Sequence, residues 1–300
     1  MTPKPSRMPH VSPQRLRRLQ RLFSVIQAIS PRLAARAALT LFITPMRRKS
    51  DAADAQWLTL AKHHTVTAGT SRVHVYEWGA GSRTVVILHG WGSHAPRYST
   101  LAQSLVAGGW RVLAIDAPGH GRSPGRTSSL PQFIQALDTV IRAFGPVEAL
   151  VGHSLGGLAA ALWLAQPTTD QAGARAGKSP QSAIRHVVLI STPADAGFLV
   201  DNFVAMIGLR DATTRHLLSR FNSRFQKGPE TWSAAAIAAG INAPVLLIHD
   251  REDDVVPFAH GQRLLKVLPQ ARLHETSGLG HSGMLRDAAT ASLINQELGT

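Results

Sequence analysis

Short uninterrupted apolar runs recur along the chain, and between them apolar residues return every three to four positions. Residues 84–88, 111–115, 149–151, 186–190 and 244–248 carry the runs. Each reads as a strand covered on both faces, because burial from both sides removes the alternation of a half-exposed strand. The helical spacing falls in between, over 98–108, 130–144, 158–165 and 259–268. Residues 64–67 and 73–78 predict a hairpin turning at Gly69-Thr70, and 271–274 predict one more strand. Strands that alternate with helices need crossovers, and crossovers produce a largely parallel sheet with helices on both faces, an α/β fold. Residues 194–240 break the alternation. They show no strand pattern but carry Phe198, Phe203, Met206, Leu217, Phe221, Phe225 and Trp232 at helical spacings.

The first sixth of the chain is different. From residue 14 to 46 basic and apolar residues interleave, with Leu16, Leu19, Leu22, Phe23 and Ile26 on one helical face. Pro31 divides this segment and Pro45 ends it. Charge sharpens the division: eleven of the fourteen net positive charges lie in residues 1–49, which hold no acid, so the rest carries only +3. Such a segment has two readings, a helix lying on an anionic membrane surface through residues 15–48, or a helical extension packed on the body with its arginines in water. The second is preferred. Arg32 and Arg36 interrupt the one long apolar stretch, which argues against a transmembrane span, and no apolar core ends at a small-residue cleavage site. The expected location is cytoplasmic, with the inner face of the membrane as the alternative for the basic segment. No aromatic platform accompanies the charge, so no nucleic acid is expected. Residues 1–14, rich in Pro and Ser, read as disordered, and the polar stretch 166–183 as a mobile surface loop. The expected division is a basic helical extension over 1–60 and a main domain over 61–300. No cysteine is present, which excludes disulfides and thiolate metal sites, and the fourteen histidines show no metal-ligand spacing.

The candidate chemistry centres on Gly152-His153-Ser154-Leu155-Gly156, which joins a predicted strand to an Ala/Leu-rich helix. Glycines at 152 and 156 let the chain double back beside the serine, and the helix aims its N-terminal amides at the same point. The competing reading is a glycine-rich turn whose serine caps the helix. A serine hydroxyl is a weak nucleophile and needs a base, itself oriented by an acid. His281, in Gly278-Leu279-Gly280-His281-Ser282-Gly283 after the last strand, is the candidate base; His274 is a rival inside a strand pattern. Asp250, Glu252, Asp253 and Asp254 follow the 244–248 strand. Asp253 is preferred on its register four residues before Pro257, with Asp254 and Asp250 as solvated or salt-bridged alternatives. An oxyanion would need two backbone donors, here the N–H of Leu155 and that of Trp91 in the loop after the third strand. Asp116 through Ser123 reads as a structural turn, with His120 and Arg122 facing solvent or hydrogen-bonded in the loop.

His89-Gly90-Trp91-Gly92, Asp116-x-Pro118-Gly119-x-Gly121-x-Ser123, Gly152-His153-Ser154-Leu155-Gly156-Gly157, Asp253-x-x-Val256-Pro257 and Gly280-His281 follow one another in this order. In these motifs the chain resembles the α/β-hydrolase superfamily, esterase- and lipase-like, over about residues 64–297. The resemblance implies an eight-stranded sheet whose second strand is antiparallel, and a helical cap after the sixth strand, expected at 194–240. Asp250 departs from the pattern, which commonly has glycine there. Serine at 154 argues against the dehalogenase and dienelactone-hydrolase branches. The expected activity is that of a cofactor-free serine hydrolase cleaving a carboxylic ester or related acyl compound through Ser154, Asp253 and His281, with no metal. An apolar cap predicts a small to medium hydrophobic acyl substrate, met by Trp91, Phe198, Phe203 and Met206, with no chemical role for the indole. The alternatives are an acyltransferase or carbon–carbon bond hydrolase on the same triad, and a non-enzymatic binding protein that keeps the fold.

Overall fold

The computed structural model of the chain describes residues 12–47, 52–167, 179–238 and 240–299. In chain order the elements begin with α1 (Pro13–Ile29), α2 (Pro31–Phe42), α3 (Ala52–Thr59), β1 (Lys62–Ala68), β2 (Ser71–Trp78) and β3 (Arg83–Leu88). Then come α4 (Ser99–Ala107), β4 (Trp110–Asp116), α5 (Leu130–Phe144), β5 (Ala149–His153), α6 (Leu155–Leu164) and β6 (His186–Ile190). The chain continues through α7 (Ala196–Ile207), α8 (Asp211–Phe225), α9 (Ala234–Ala238), β7 (Val245–Asp250), α10 (Ala259–Val267), β8 (Ala271–Thr276), α11 (Gly280–Gly283) and α12 (Ala288–Gly299).

The apolar runs form the centre of one eight-stranded sheet in the order β1-β2-β4-β3-β5-β6-β7-β8. It is parallel from β4 to β8, and β2 runs antiparallel to both its neighbours. Alternate side chains of each central strand serve opposite layers, as strand geometry requires. Val86 and Leu88, Leu113 and Ile115, and Leu150 pack with Leu137 of α5, Leu158 of α6 and Leu264 of α10. Val85 and Ile87, Val112 and Ala114, and Ala149 and Val151 pack with Leu101 and Leu105 of α4 and Ile294 and Leu298 of α12. Both faces are thereby covered, which is why these strands read as unbroken apolar runs.

The N-terminal segment folds as two helices. Ser12 Oγ accepts from the Arg15 N–H at 3.3 Å and Pro13 opens α1, so Pro13 and Gln14 are helical rather than part of a disordered tail. Residues 1–11 of that expected tail, and 168–178 of the expected loop, lie outside the described residues. Ser30 closes α1 and caps α2, its Oγ accepting from the Leu33 N–H at 3.3 Å. The buried face of α1 differs in one respect from the expected one: Leu22 is 54% exposed, and Gln27 is buried in its place among the inward residues. Gln27 Nε2 donates to the Gly208 carbonyl at 3.0 Å and its Oε1 accepts from the Arg210 N–H at 2.9 Å. The gap between α7 and α8 leaves those two backbone groups without a helical partner, and a buried amide that satisfies both is worth more there than a leucine.

The hairpin of α1 and α2 packs on the cap that α7–α9 build between β6 and β7. Phe23, Ala34, Ala35 and Ala38 form one buried cluster with Phe203, Met206, Ile207 and Leu217. Three alanines on α2 let it approach α8 closely, and Phe42 meets Phe203 and Phe221 edge-on at 5.1 and 6.3 Å between centroids. After α2, the Arg47 guanidinium donates to the carbonyls of Ser123 and Gly125 at 2.8 and 2.9 Å, which ties this segment to the turn after β4. The packed-extension reading therefore describes the inner face of the hairpin. Among the described residues no helix is long and apolar enough to cross a membrane.

Candidate active site

Ser154 stands alone between β5 and α6 at φ 53°, ψ −121°. A non-glycine residue held there costs about 1–3 kcal/mol, so the strand and helix on either side must impose it. Its N–H donates to the Ile190 carbonyl at 2.9 Å and its carbonyl accepts from the Leu158 N–H at 3.1 Å. The side chain makes no capping bond to the helix, which removes the reading of this serine as a cap. Two glycines make the turn possible by close approach. A Cβ on Gly156 would stand 2.3 Å from the carbonyl oxygens of Leu88 and His89, and one on Gly90 would stand 3.0 Å from Ser154 Cβ. The loop after β3 is thus held against the serine by a residue that has no side chain to keep it away.

Parallel strands bring the remaining candidates to the same edge, beyond their carboxyl ends. Of Asp250, which ends β7, and the three acids after it, Asp253 is the one that meets His281: Nδ1 lies 2.8 Å from Oδ2 and 3.1 Å from Oδ1. Asp253 Oδ1 also accepts from the N–H groups of Val255 and Val256 at 2.9 and 2.8 Å. Burial alone would raise this carboxyl's pKa, but the hydrogen bonds from His281 and Val256 outweigh it and hold the group below its ordinary value. Asp250 is fully buried and structural. It accepts from Thr276 Oγ1 at 2.7 Å and the N–H groups of Leu279 and Glu252 at 3.0 Å, tying the loop that carries His281 to the one that carries Asp253. Arg251 is paired with Glu275 rather than with Asp254, which is exposed. His274 is exposed on β8, away from this arrangement.

Three histidines outside the expected set position these loops. His89 Nδ1 donates to the Gly90 carbonyl at 2.7 Å and Nε2 accepts from the Ala117 N–H at 3.0 Å. His120 Nδ1 donates to the Pro118 carbonyl at 3.0 Å and Nε2 accepts from the Gly92 N–H at 3.1 Å. His120 is therefore buried and holds the Trp91–Gly92 backbone, rather than facing solvent. His153 Nε2 donates to the His281 carbonyl at 2.9 Å, with the two rings 4.8 Å apart. The turn from Asp116 to Ser123 is structural, as expected. Its carboxylate accepts from the Ala95 and Arg122 N–H groups at 2.8 and 2.7 Å. The N–H groups of Trp91 and Leu155 are engaged by none of the described residues.

Burial keeps several histidines neutral, among them His260, whose Nδ1 accepts from the Ala194 N–H at 3.1 Å, and that sets an acid limit on the fold. His120 and His260 are pushed down to about 4 and His153 to about 3, in each case chiefly by loss of water. Below pH 6.5 an unfolded chain protonates all three positions while the folded chain does not, so their stabilisation is present above 6.5 and lost as pH falls towards 4. Asp116, raised by burial to about 6, works in the opposite sense and recovers part of the loss. Between pH 7.5 and 5.5 these four groups together should cost roughly 3 kcal/mol, and His74 and His89, also lowered chiefly by burial, act in the same direction. Urea unfolding at the two pH values checks this. The midpoint should fall by about 1 M at the lower pH, and an unchanged or higher midpoint would contradict neutral burial.

Ser154 and His281 open into one cavity of about 390 Å³. The expected contacts Trp91, Phe198, Phe203 and Met206 all line it, as does Leu155. So do residues that sequence reasoning assigned to no site: Leu19 of α1, Leu41 and Phe42 of α2, and Ile43, Thr44 and Met46 beyond it. The signal that could have found them is that Leu41, Phe42 and Ile43 continue the apolar surface of α2 past the width one packed face needs.

Comparison with known proteins accords with this geometry. The model of the family described as serine aminopeptidase, S33, matches residues 80–227. The pimeloyl-[acyl-carrier protein] methyl ester esterase of Chromobacterium violaceum is 29% identical over 228 residues, 67% of this chain and 88% of that protein. The 2-hydroxy-6-oxononadienedioate/2-hydroxy-6-oxononatrienedioate hydrolase of Cupriavidus pinatubonensis is 29% identical over 245 residues, 70% of this chain and 84% of that one. Among solved structures, an esterase of Pyrococcus furiosus superposes with a TM-score of 0.61 at 19% identity, covering 85% of this chain and 96% of that one. That likeness speaks for the fold. With its eight-stranded sheet and the helical cap after the sixth strand, the chain has the fold of the α/β hydrolases, and the relatives similar to it in sequence are named as esterases and hydrolases.

Proposed function

We propose that this protein is a serine hydrolase that cleaves a carboxylic ester of a hydrophobic acyl group. The observation that carries the reading is the Asp253–His281 pair at 2.8 Å, with His281 on the wall of the cavity into which a serine at φ 53° opens. Ser154 Oγ attacks the ester carbonyl carbon while His281 takes its proton. With Nδ1 engaged by Asp253, Nε2 is the nitrogen left for that transfer. The unengaged N–H groups of Leu155 and Trp91 receive the negative charge that develops on the carbonyl oxygen. The carbon–oxygen bond then breaks, the alcohol leaves with the proton from His281, and an acyl group remains on Ser154. Water, deprotonated by His281, releases the acid and restores the serine. Trp91, Phe198, Phe203 and Met206 supply an apolar wall for the acyl group, in keeping with a relative named as a methyl ester esterase.

A second reading, hydrolysis of a carbon–carbon bond beside a carbonyl, is favoured by the relatives named as 2-hydroxy-6-oxo acid hydrolases. Both readings use the same serine. A fluorophosphonate probe should label the wild-type protein on Ser154 and leave Ser154→Ala unlabelled, located by peptide mass analysis. A wild-type protein that stays unlabelled would sink both. A series of p-nitrophenyl esters of rising chain length, set against a β-diketone, then separates them: the ester reading requires the esters to be turned over faster.

A further inference from the structure

The α1–α2 hairpin has a second face. Of the large apolar side chains that the described residues expose, Leu22, Val25, Ile29 and Leu33 are on this hairpin at 54–77% exposure, and Met46 follows it. Arg18, Leu22, Val25 and Ile29 are separated by four, three and four residues, which sets them on one stripe of α1, across the helix from the buried Phe23 and Gln27. Arg21 flanks that stripe, and Arg32 and Arg36 are exposed on α2 beside Leu33. No acidic residue occurs anywhere in 12–47. An isolated helical extension has no physical need of such a ridge, since exposed leucine, valine and isoleucine gain nothing in water. Cations without a single anion, bracketing an apolar ridge, are complementary to one surface in particular: acyl chains beneath a layer of phosphate.

The position of the ridge relates it to the cavity. Leu19, Leu41 and Phe42, from the same two helices, line the space that Ser154 faces. Arg15 and Met46 both line that space and reach solvent, so the cavity opens at the rim of the hairpin. We infer that the outer face of the hairpin seats on an anionic lipid surface, and that the cavity takes its acyl ester from amphiphiles in that surface. The seating stands on the hairpin alone; the nature of the substrate rests on the ester-hydrolase reading.

The test uses the full chain and vesicles of phosphatidylcholine with or without phosphatidylglycerol. The wild-type protein should sediment with the anionic vesicles at low salt, bind neutral ones at least about tenfold more weakly, and lose affinity as salt rises. Two variants, Leu22→Ser/Val25→Ser/Ile29→Ser and Arg18→Glu/Arg21→Glu, should each weaken that binding by about tenfold or more. Both should hydrolyse a soluble p-nitrophenyl ester at the wild-type rate without vesicles, since none of the five residues lines the cavity. Wild-type protein left in the supernatant with both vesicle types overturns the seating. So does binding that neither variant alters, or a wild-type dimer that the triple variant converts to monomer without any vesicle binding. Sedimentation is read without turnover, so an inactive ester assay beside intact binding counts against the ester reading and leaves the seating standing. Intact binding with no faster turnover of a long-chain ester in anionic vesicles than in detergent overturns the lipid-borne substrate.

Discussion

Replacing Ser154 by alanine should lower kcat on a p-nitrophenyl ester by about 10⁴- to 10⁶-fold. The loss is this large because in the proposed mechanism the hydroxyl forms the covalent bond, and oxyanion donors and cavity alone would supply only a residual rate over water. Little else should change. The serine side chain makes no capping bond, and the backbone at φ 53° is imposed by β5, α6 and the close approach of Gly90. KM should therefore stay within a few-fold and the urea midpoint near that of the wild type. Steady-state kinetics beside an unfolding curve check both halves. Activity that survives at the wild-type level would remove Ser154 from the mechanism.

Asp253→Asn should cost about 10⁴-fold in kcat, although the new side chain has the same shape. The two backbone donors decide the outcome. Val255 and Val256 direct their N–H groups at Oδ1, so an asparagine must keep its carbonyl oxygen there. Its amide NH₂ then occupies the place of Oδ2, 2.8 Å from His281 Nδ1, and donates where the carboxylate accepted. The imidazole answers by carrying its proton on Nε2, and a protonated Nε2 cannot receive one from serine. Asp254→Asn is the control, since Asp253 and not that exposed side chain meets His281, and it should leave kcat near the wild-type value. Equal losses in the two variants, measured on the same ester, would show that the acid has been misassigned.

The sheet was legible because its central strands are buried on both faces, so that 84–88 or 186–190 can hardly be read otherwise. Edges and surface helices were harder. β8 alternates weakly, and the expected strand 271–274 extends to Thr276; α3 and α12 carry no periodicity strong enough to stand out from their surroundings. At the site, Ser154, Asp253 and His281 come from motifs whose glycines and prolines mark loop positions, and the structure brings the three to one edge of the sheet. What no local pattern announces is a long-range partner. Gln27 reads as a polar interruption of an apolar face until the ends of α7 and α8 are seen beside it. Leu22 reads as core by spacing alone, because periodicity gives the angle around a helix and says nothing about which side another element will cover. His120 looks like a loop residue until the Gly92 N–H is found on its Nε2.

The bonds from Gln27 to the α7–α8 gap also set an order of events. Gln27 and the Gly208 carbonyl it holds are 181 residues apart. At ribosomal speeds of roughly 5–20 residues per second, α1 and α2 emerge on the order of ten seconds or more before the surface they cover exists. Through that interval Phe23 and the alanines of α2 are as uncovered as Leu22 and Ile29, and the nascent hairpin is apolar on two sides at once. The roof over the cavity is thus made well before the surface it covers, and its early company is whatever chaperone or bilayer lies near the exit tunnel.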